Sequence, residues 1–102
     1  LKFELTDSFL RDRDRLSREE LKLVRDRLPD FVAACERYAT KPSPRWPASL
    51  RVRDVEGAPG ILEMTFNFSD PDLRATFEWT HIDGEPAVRW RRIGGHGIFS
   101  EP

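Results

Sequence analysis

The apolar residues of this chain change their spacing once. Leu21, Val24, Leu28, Phe31, Cys35 and Tyr38 recur at intervals of three and four, the stripe of one helix face. From Leu50 to Ile93 apolar and polar residues alternate instead, as in half-buried strands. Between the two textures lies Lys41-Pro42-Ser43-Pro44-Arg45-Trp46-Pro47, whose three prolines no regular helix accommodates. That connector is too short for an interdomain linker, and 102 residues make one domain. Helices followed by a run of strands predict a single α+β domain over 1–102, with the helices on one sheet face.

Local signals refine this outline. Leu1-Lys2-Phe3-Glu4-Leu5 alternates and predicts a short half-buried strand. Thr6-Asp7-Ser8 offers cap side chains for a helix over roughly residues 8–15. Its charged block, Arg11 to Arg15, reads as a solvated face. Ser17 and Glu20 match a capping box for a second helix, which Pro29 should bend without breaking the stripe. Four strands are expected over 50–55, 61–68, 74–79 and 87–93. The turns between them are Gly57-Ala58-Pro59-Gly60, Ser69-Asp70-Pro71-Asp72 and Asp83-Gly84-Glu85-Pro86. Together the strands read as an antiparallel meander.

Composition narrows the function classes. Seventeen basic against eighteen acidic residues give a net charge of −1, so there is no global basic footprint for nucleic acid. Lys2 and Glu4 break the first apolar stretch, so no secretory leader is expected. No apolar run reaches membrane-spanning length. The lone Cys35, on the helix stripe, reads as a small core residue in a reducing, cytoplasmic setting. One Cys and two His in different segments offer no metal-ligand spacing, and no phosphate loop or nucleophile elbow is present. Neither a metal nor a cofactor is expected.

What remains is arginine. Side chains two apart share a strand face, so Leu62, Met64, Phe66 and Phe68 point to the core and Ile61, Glu63, Thr65 and Asn67 away from it. Arg51, Arg53, Arg74, Arg89, Arg91 and Arg92 all fall in the strand half. Arg74 is in phase with Thr76 and Glu78, and Arg89 with Arg91, while Arg92 faces the other way with Trp90. An open polar sheet face bearing several guanidiniums suits bidentate phosphate contact. Cross-strand ion pairs to Asp54, Glu56, Glu63 and Glu78 are the plainer use of the same residues. His96 sits between Gly95 and Gly97 near the end of the sequence. Imidazole as a class titrates near neutrality and serves as a general acid or base. Phe99 either seals a core edge or stacks on a base.

These residues resemble a known family. Leu50-Arg51-Val52-Arg53, Glu63-Met64-Thr65-Phe66, Arg74-Ala75-Thr76-Phe77 and the ending Trp90-Arg91-Arg92-Ile93-Gly94-Gly95-His96-Gly97-Ile98-Phe99 look like the RelE/ParE toxins of bacterial type II toxin–antitoxin systems. The ending is most similar to the YafQ-like and YoeB-like branches. The resemblance implies an N-terminal strand and a helical hairpin packed on a twisted antiparallel sheet. It implies a ribosome-dependent mRNA endoribonuclease that works without metal, through attack of a ribose 2′-hydroxyl on the adjacent phosphate. A cognate antitoxin protein, the ribosome and mRNA would be its partners. By position, Arg51 and Arg53 resemble the family's basic pair, Arg74 the arginine at the scissile phosphate, His96 the catalytic histidine and Phe99 the closing aromatic. Arg91 joins the phosphate-binding set, and Glu63 is the candidate base for the 2′-hydroxyl. Many relatives carry Arg where this chain has Thr65.

Two other readings belong to different classes. One is a binding protein of the same fold without nuclease activity, either a ParE-like topoisomerase inhibitor or a catalytically degenerate toxin. The other is an unrelated α+β interaction module whose arginines are ion-paired.

Overall fold

A computed structural model describes residues 2–40, 46–67 and 73–102, the side chains of 38–40, 67 and 96 excepted. Its elements run β1 (Lys2–Leu5), α1 (Asp7–Arg13), α2 (Arg18–Thr40), β2 (Arg53–Asp54), β3 (Leu62–Asn67), β4 (Leu73–Ile82) and β5 (Glu85–Gly94). A 3₁₀ turn at Ala48–Leu50 precedes β2, and another at His96–Ser100 follows β5. The five strands form one sheet in the order β1-β5-β4-β3-β2.

The fold is α+β, as the two textures predict. The expected antiparallel sheet needs correcting: β2 to β5 are antiparallel neighbours, but β1 runs parallel to β5, with Lys2 opposite Ala87 and Leu5 opposite Trp90. The sheet is therefore mixed. The chain passes through both helices before it returns to this edge, and a parallel neighbour requires such a long connection.

Both helices start where side-chain oxygens serve their free amides. Thr6 caps α1 by accepting from the Phe9 N–H at 3.1 Å, and the helix starts one residue and ends two residues ahead of the predicted span. At α2 the capping box closes both ways: the Ser17 N–H donates to Glu20 Oε1 at 2.9 Å and the Glu20 N–H to Ser17 Oγ at 3.1 Å. α2 continues through Pro29 as one helix. Its stripe buries Phe31 and Cys35 completely, with Val24 and Leu28 packed at the margin. The Tyr38 side chain lies outside the described residues.

The core is aromatic. The Phe31 ring stacks on Trp46 at 5.6 Å, meets Phe77 edge-on at 5.1 Å and tilts against Trp90 at 4.7 Å. Trp46, near the end of the proline connector, thus becomes a core plank, and stacks in turn on Trp79 at 6.2 Å. Burial pushes the Cys35 thiol up to about 12, with the Glu36 charge adding to it, as suits a packed hydrophobe rather than a nucleophile.

Four further expectations change. The predicted strand over 50–55 shrinks to Arg53–Asp54, because Arg51 takes a left-handed conformation (φ 48°) that ends the 3₁₀ turn and delays the extended run. β4 and β5 are longer than predicted and meet at the tight Asp83-Gly84 turn, where both residues have positive φ. The predicted turn over 69–72, and Phe68, lie outside the described residues. The alternation of β5 breaks between Trp90 and Ile93, where a bulge against Thr76 and Phe77 lets both enter the core, three residues apart. Finally, the block at Arg11–Arg15 is not wholly solvated. Asp12 is buried, accepts from Arg92 Nε at 2.6 Å and Nη2 at 3.1 Å, and takes the Ile93 N–H at 3.1 Å. Phe9 and Asp12 fall on the inner side of α1 by helical spacing, so this acid bolts α1 to the bulge.

Among the described residues no helix is long and apolar enough to cross a membrane.

Candidate functional site

The second sheet face is less open than alternation suggests. Ile61, Glu63 and Thr65 are all buried there. The chain beyond β5 folds back onto the sheet. A Cβ at Gly94 would sit 3.1 Å from Ile98, so the return is tight. Ile98 is buried, Arg91 Nε donates to the Pro102 carbonyl at 3.1 Å, and Arg92 Nη1 donates to the Glu101 carbonyl at 3.1 Å.

Strand register gathers the central residues. Arg53 of β2 stands directly opposite Glu63 of β3, and Glu63 stands opposite Thr76 of β4. Arg74 is then the diagonal neighbour of Glu63, within reach of a long side chain. Glu63 Oε1 accepts from Arg53 Nε and from Arg74 Nη1, the second at 3.4 Å. The Arg74 guanidinium also lies over the Phe99 ring, 5.6 Å from its centre, a cation–π distance. The side chains of Glu63 and Arg74 are 6% and 15% exposed, that of Arg53 68%. Arg74 is thus held in place by the acid on one side and the aromatic on the other, while Arg53 can swing into solvent.

Arg53, Glu63, Arg74 and Phe99 line one hollow of about 310 Å³, together with Asp54, Val55 and Glu56. An adjoining hollow of about 350 Å³ is lined by Arg51, Arg53, Thr65 and Arg74. Five of the expected site residues are therefore brought together: Arg51, Arg53, Glu63, Arg74 and Phe99. Arg91 is not among them. Its Nη1 donates to Glu78 Oε2 at 3.2 Å, and it lines a separate hollow with Thr6, Ser8 and Ile61. His96 opens the 3₁₀ turn that carries Phe99, three residues before it. Its imidazole lies outside the described residues.

Sequence reasoning missed Asp12 and Thr6 as anchors of the site's frame. Besides capping α1, Thr6 donates its hydroxyl to the Arg91 carbonyl at 2.7 Å. Helical spacing from Phe9 would have placed Asp12 inward; nothing in the sequence marks the Thr6 contact, which spans 85 residues.

Chemically, the two hollows present guanidiniums beside a carboxylate and an aromatic ring, a set suited to a phosphodiester with a flanking base. Among the described residues no group of three His, Cys, Asp or Glu is placed to hold a metal ion. The chain matches no family model, no curated protein and no solved structure.

Proposed function

We propose that this chain is a type II toxin of the RelE/ParE kind, a metal-independent endoribonuclease that cuts mRNA on the ribosome and is neutralised by an antitoxin protein. The observation that carries the reading is the Arg53–Glu63–Arg74 cluster under Phe99, beside a hollow of phosphodiester size.

In this reading the ribose 2′-oxygen attacks the adjacent phosphorus, forming the O2′–P bond, and the P–O5′ bond breaks. Negative charge builds on the non-bridging oxygens as phosphorus becomes five-coordinate. Arg74, already oriented by Glu63 and Phe99, meets that charge without reorganising, and Arg53 and Arg51 close on the flanking phosphates. One such donor is worth about 3–4 kcal/mol, or ~10²–10³ in rate. Glu63 takes the 2′-hydroxyl proton, and His96 gives a proton to the departing 5′-oxygen, a step worth ~10²–10⁴. Phe99 stacks on a base next to the cut.

Cleavage of mRNA in a reconstituted translation reaction tests this, with wild type, Arg74→Ala and His96→Ala. Ribosome-dependent cuts that fade in both variants are expected. Folded wild-type protein that leaves mRNA intact sinks the nuclease reading.

One feature favours a second reading, a binding protein of the same fold without nuclease activity. Arg53, Arg74, Arg89, Arg91 and Arg92 each have a carboxylate partner, and Thr65 stands where many relatives carry Arg. This reading expects no cleavage and a folded protein that still binds its target.

A further inference from the structure

The edge strand β1 presents a feature that the proposed nuclease chemistry does not use. Phe3 and Leu5 are 42% and 39% exposed, the exposed large hydrophobics among the described residues. Their register partners are Val88 and Trp90, both buried, so they stand on the helix side of the sheet, where the helices leave them partly exposed. Leu5 also borders an apolar groove lined by Phe9, Leu16, Leu21 and Val24.

The backbone of β1 is half used. The Thr6 N–H donates to the Trp90 carbonyl, toward β5. Backbone groups alternate sides along a strand, so Lys2 and Glu4 also turn theirs toward β5, and Phe3 and Leu5 turn theirs outward. An exposed strand edge of this kind is a template for another strand.

We propose that this edge docks a second copy of the same chain, β1 against β1 antiparallel, with Phe3 facing Phe3 across a two-fold axis. Charge and register select this arrangement. Centring on Phe3 places Lys2 of each copy opposite Glu4 of the other, two opposite-charge pairs on the side away from the helices. It also makes Phe3 a hydrogen-bonded pair, with the outward N–H and C=O of each copy meeting the other's. Centring on Glu4 instead sets like charges face to face, which is destabilising. A shift of one residue puts Phe3 opposite a charged side chain and loses the apolar match. Lys2 and Glu4 keep room for the new contacts: their present partners are Asp83 at 3.1 Å and Arg89 at 3.2 Å, and their side chains are 39% and 42% exposed. The result is an isologous, closed pair with a continuous ten-stranded sheet. A short strand seam buries less than a standard interface, so dissociation falls on the order of 100 μM.

Sedimentation equilibrium from about 10 μM to 1 mM tests the pairing. The wild-type mass is expected to rise toward twice that of the chain, and Phe3→Glu to remain a monomer. Lys2→Glu alone and Glu4→Lys alone each set like charges across the seam and are expected to remain monomers. Mixed one to one they place Glu opposite Lys at both pairs, and the dimer returns. Circular dichroism confirms that each variant is folded. A wild type that stays monomeric to 1 mM overturns the proposal and leaves the edge to a strand from another protein. A dimer that survives Phe3→Glu, or a mixture that stays monomeric, overturns it equally.

Discussion

Two glutamates on the same side of the sheet each hold two arginines, and they do so in different settings. Glu63 joins Arg53 and Arg74 at the β2–β3–β4 end, with only 6% of its side chain exposed. Glu78 joins Arg89 and Arg91 across β4 and β5, at 2.7 and 3.2 Å, with 19% of its own side chain and about a third of each arginine exposed. The Glu78 cluster is spliced into its surroundings: Arg89 reaches Glu4 of β1 at 3.2 Å, and Arg91 reaches the Pro102 carbonyl. Glu4 and Glu78 together hold the Arg89 guanidinium charged, Glu78 contributing most, so its pKa rises. The Glu63 cluster borders two hollows and an aromatic ring, whereas the Glu78 cluster meets a hollow through Arg91 alone. Two arginines and a glutamate thus serve mainly as a cross-strand staple in one place and as the shared wall of two hollows in the other. An arginine–glutamate–arginine motif says little about role until its open side is known.

The widest separation should appear in catalysis. On the nuclease reading Arg74→Ala lowers single-turnover mRNA cleavage by about 10²–10³, whereas Arg91→Ala leaves the rate near wild type. Equal losses would erase the distinction between the clusters. Stability should divide them as well. Glu63→Ala takes the carboxylate from a mostly buried guanidinium and costs about 3–5 kcal/mol. Glu78→Ala, in a better solvated cluster, costs about 1 kcal/mol or less. Urea midpoints of the two variants measure the gap.

Asp12 supplies a third acid against which to sharpen the comparison. Burial raises its pKa, but the hydrogen bonds from Arg92 and the Ile93 N–H, with the charges of Arg92 and Arg15, outweigh that and leave it below its ordinary 3.8. A carboxyl depressed by folding contributes stability that is present above its unfolded value and lost as the pH falls through the folded one. The wild type should therefore lose stability as the pH is lowered below about 4, and Asp12→Asn should lose less over that window while being weaker at pH 7 by about 1.5–3 kcal/mol. Thermal melts at pH 7 and pH 3 give both numbers. The smallest signal comes from the core under the helices. With its thiol pushed up to about 12 and fully buried, Cys35 should resist alkylation at pH 8 until urea opens the core.

What the sequence made legible was mostly local. Ser17 and Glu20 announce a helix start because both partners of the cap lie within four residues. Asp83-Gly84 announces a hairpin because few other pairs accept positive φ twice in succession. Met64 and Phe66 fall inward by alternation alone. The gathering of Arg53, Glu63 and Arg74 was legible only as a shared face; their meeting depends on cross-strand register, which no single segment encodes. Arg51 reads as a strand residue until Pro47 and the following turn set its backbone. Asp12 hides in a run of alternating charge, and its partners, Arg92 and Ile93, lie some eighty residues away. The return of Phe99 to Arg74 likewise rests on how residues 94–102 fold back, where Gly94 permits a close approach that the letters alone leave open.

The pairing of β1 with β5 has a consequence for the order of events in folding. Each of its four register pairs joins residues 85 positions apart, from Lys2 with Ala87 to Leu5 with Trp90. Closing so long a loop costs chain entropy before any contact repays it, and contacts of this span slow folding. β1 therefore has no seat in the sheet until β5, 85 positions further along the chain, is in place, and Phe3 and Leu5 stay unpaired with their sheet neighbours until then.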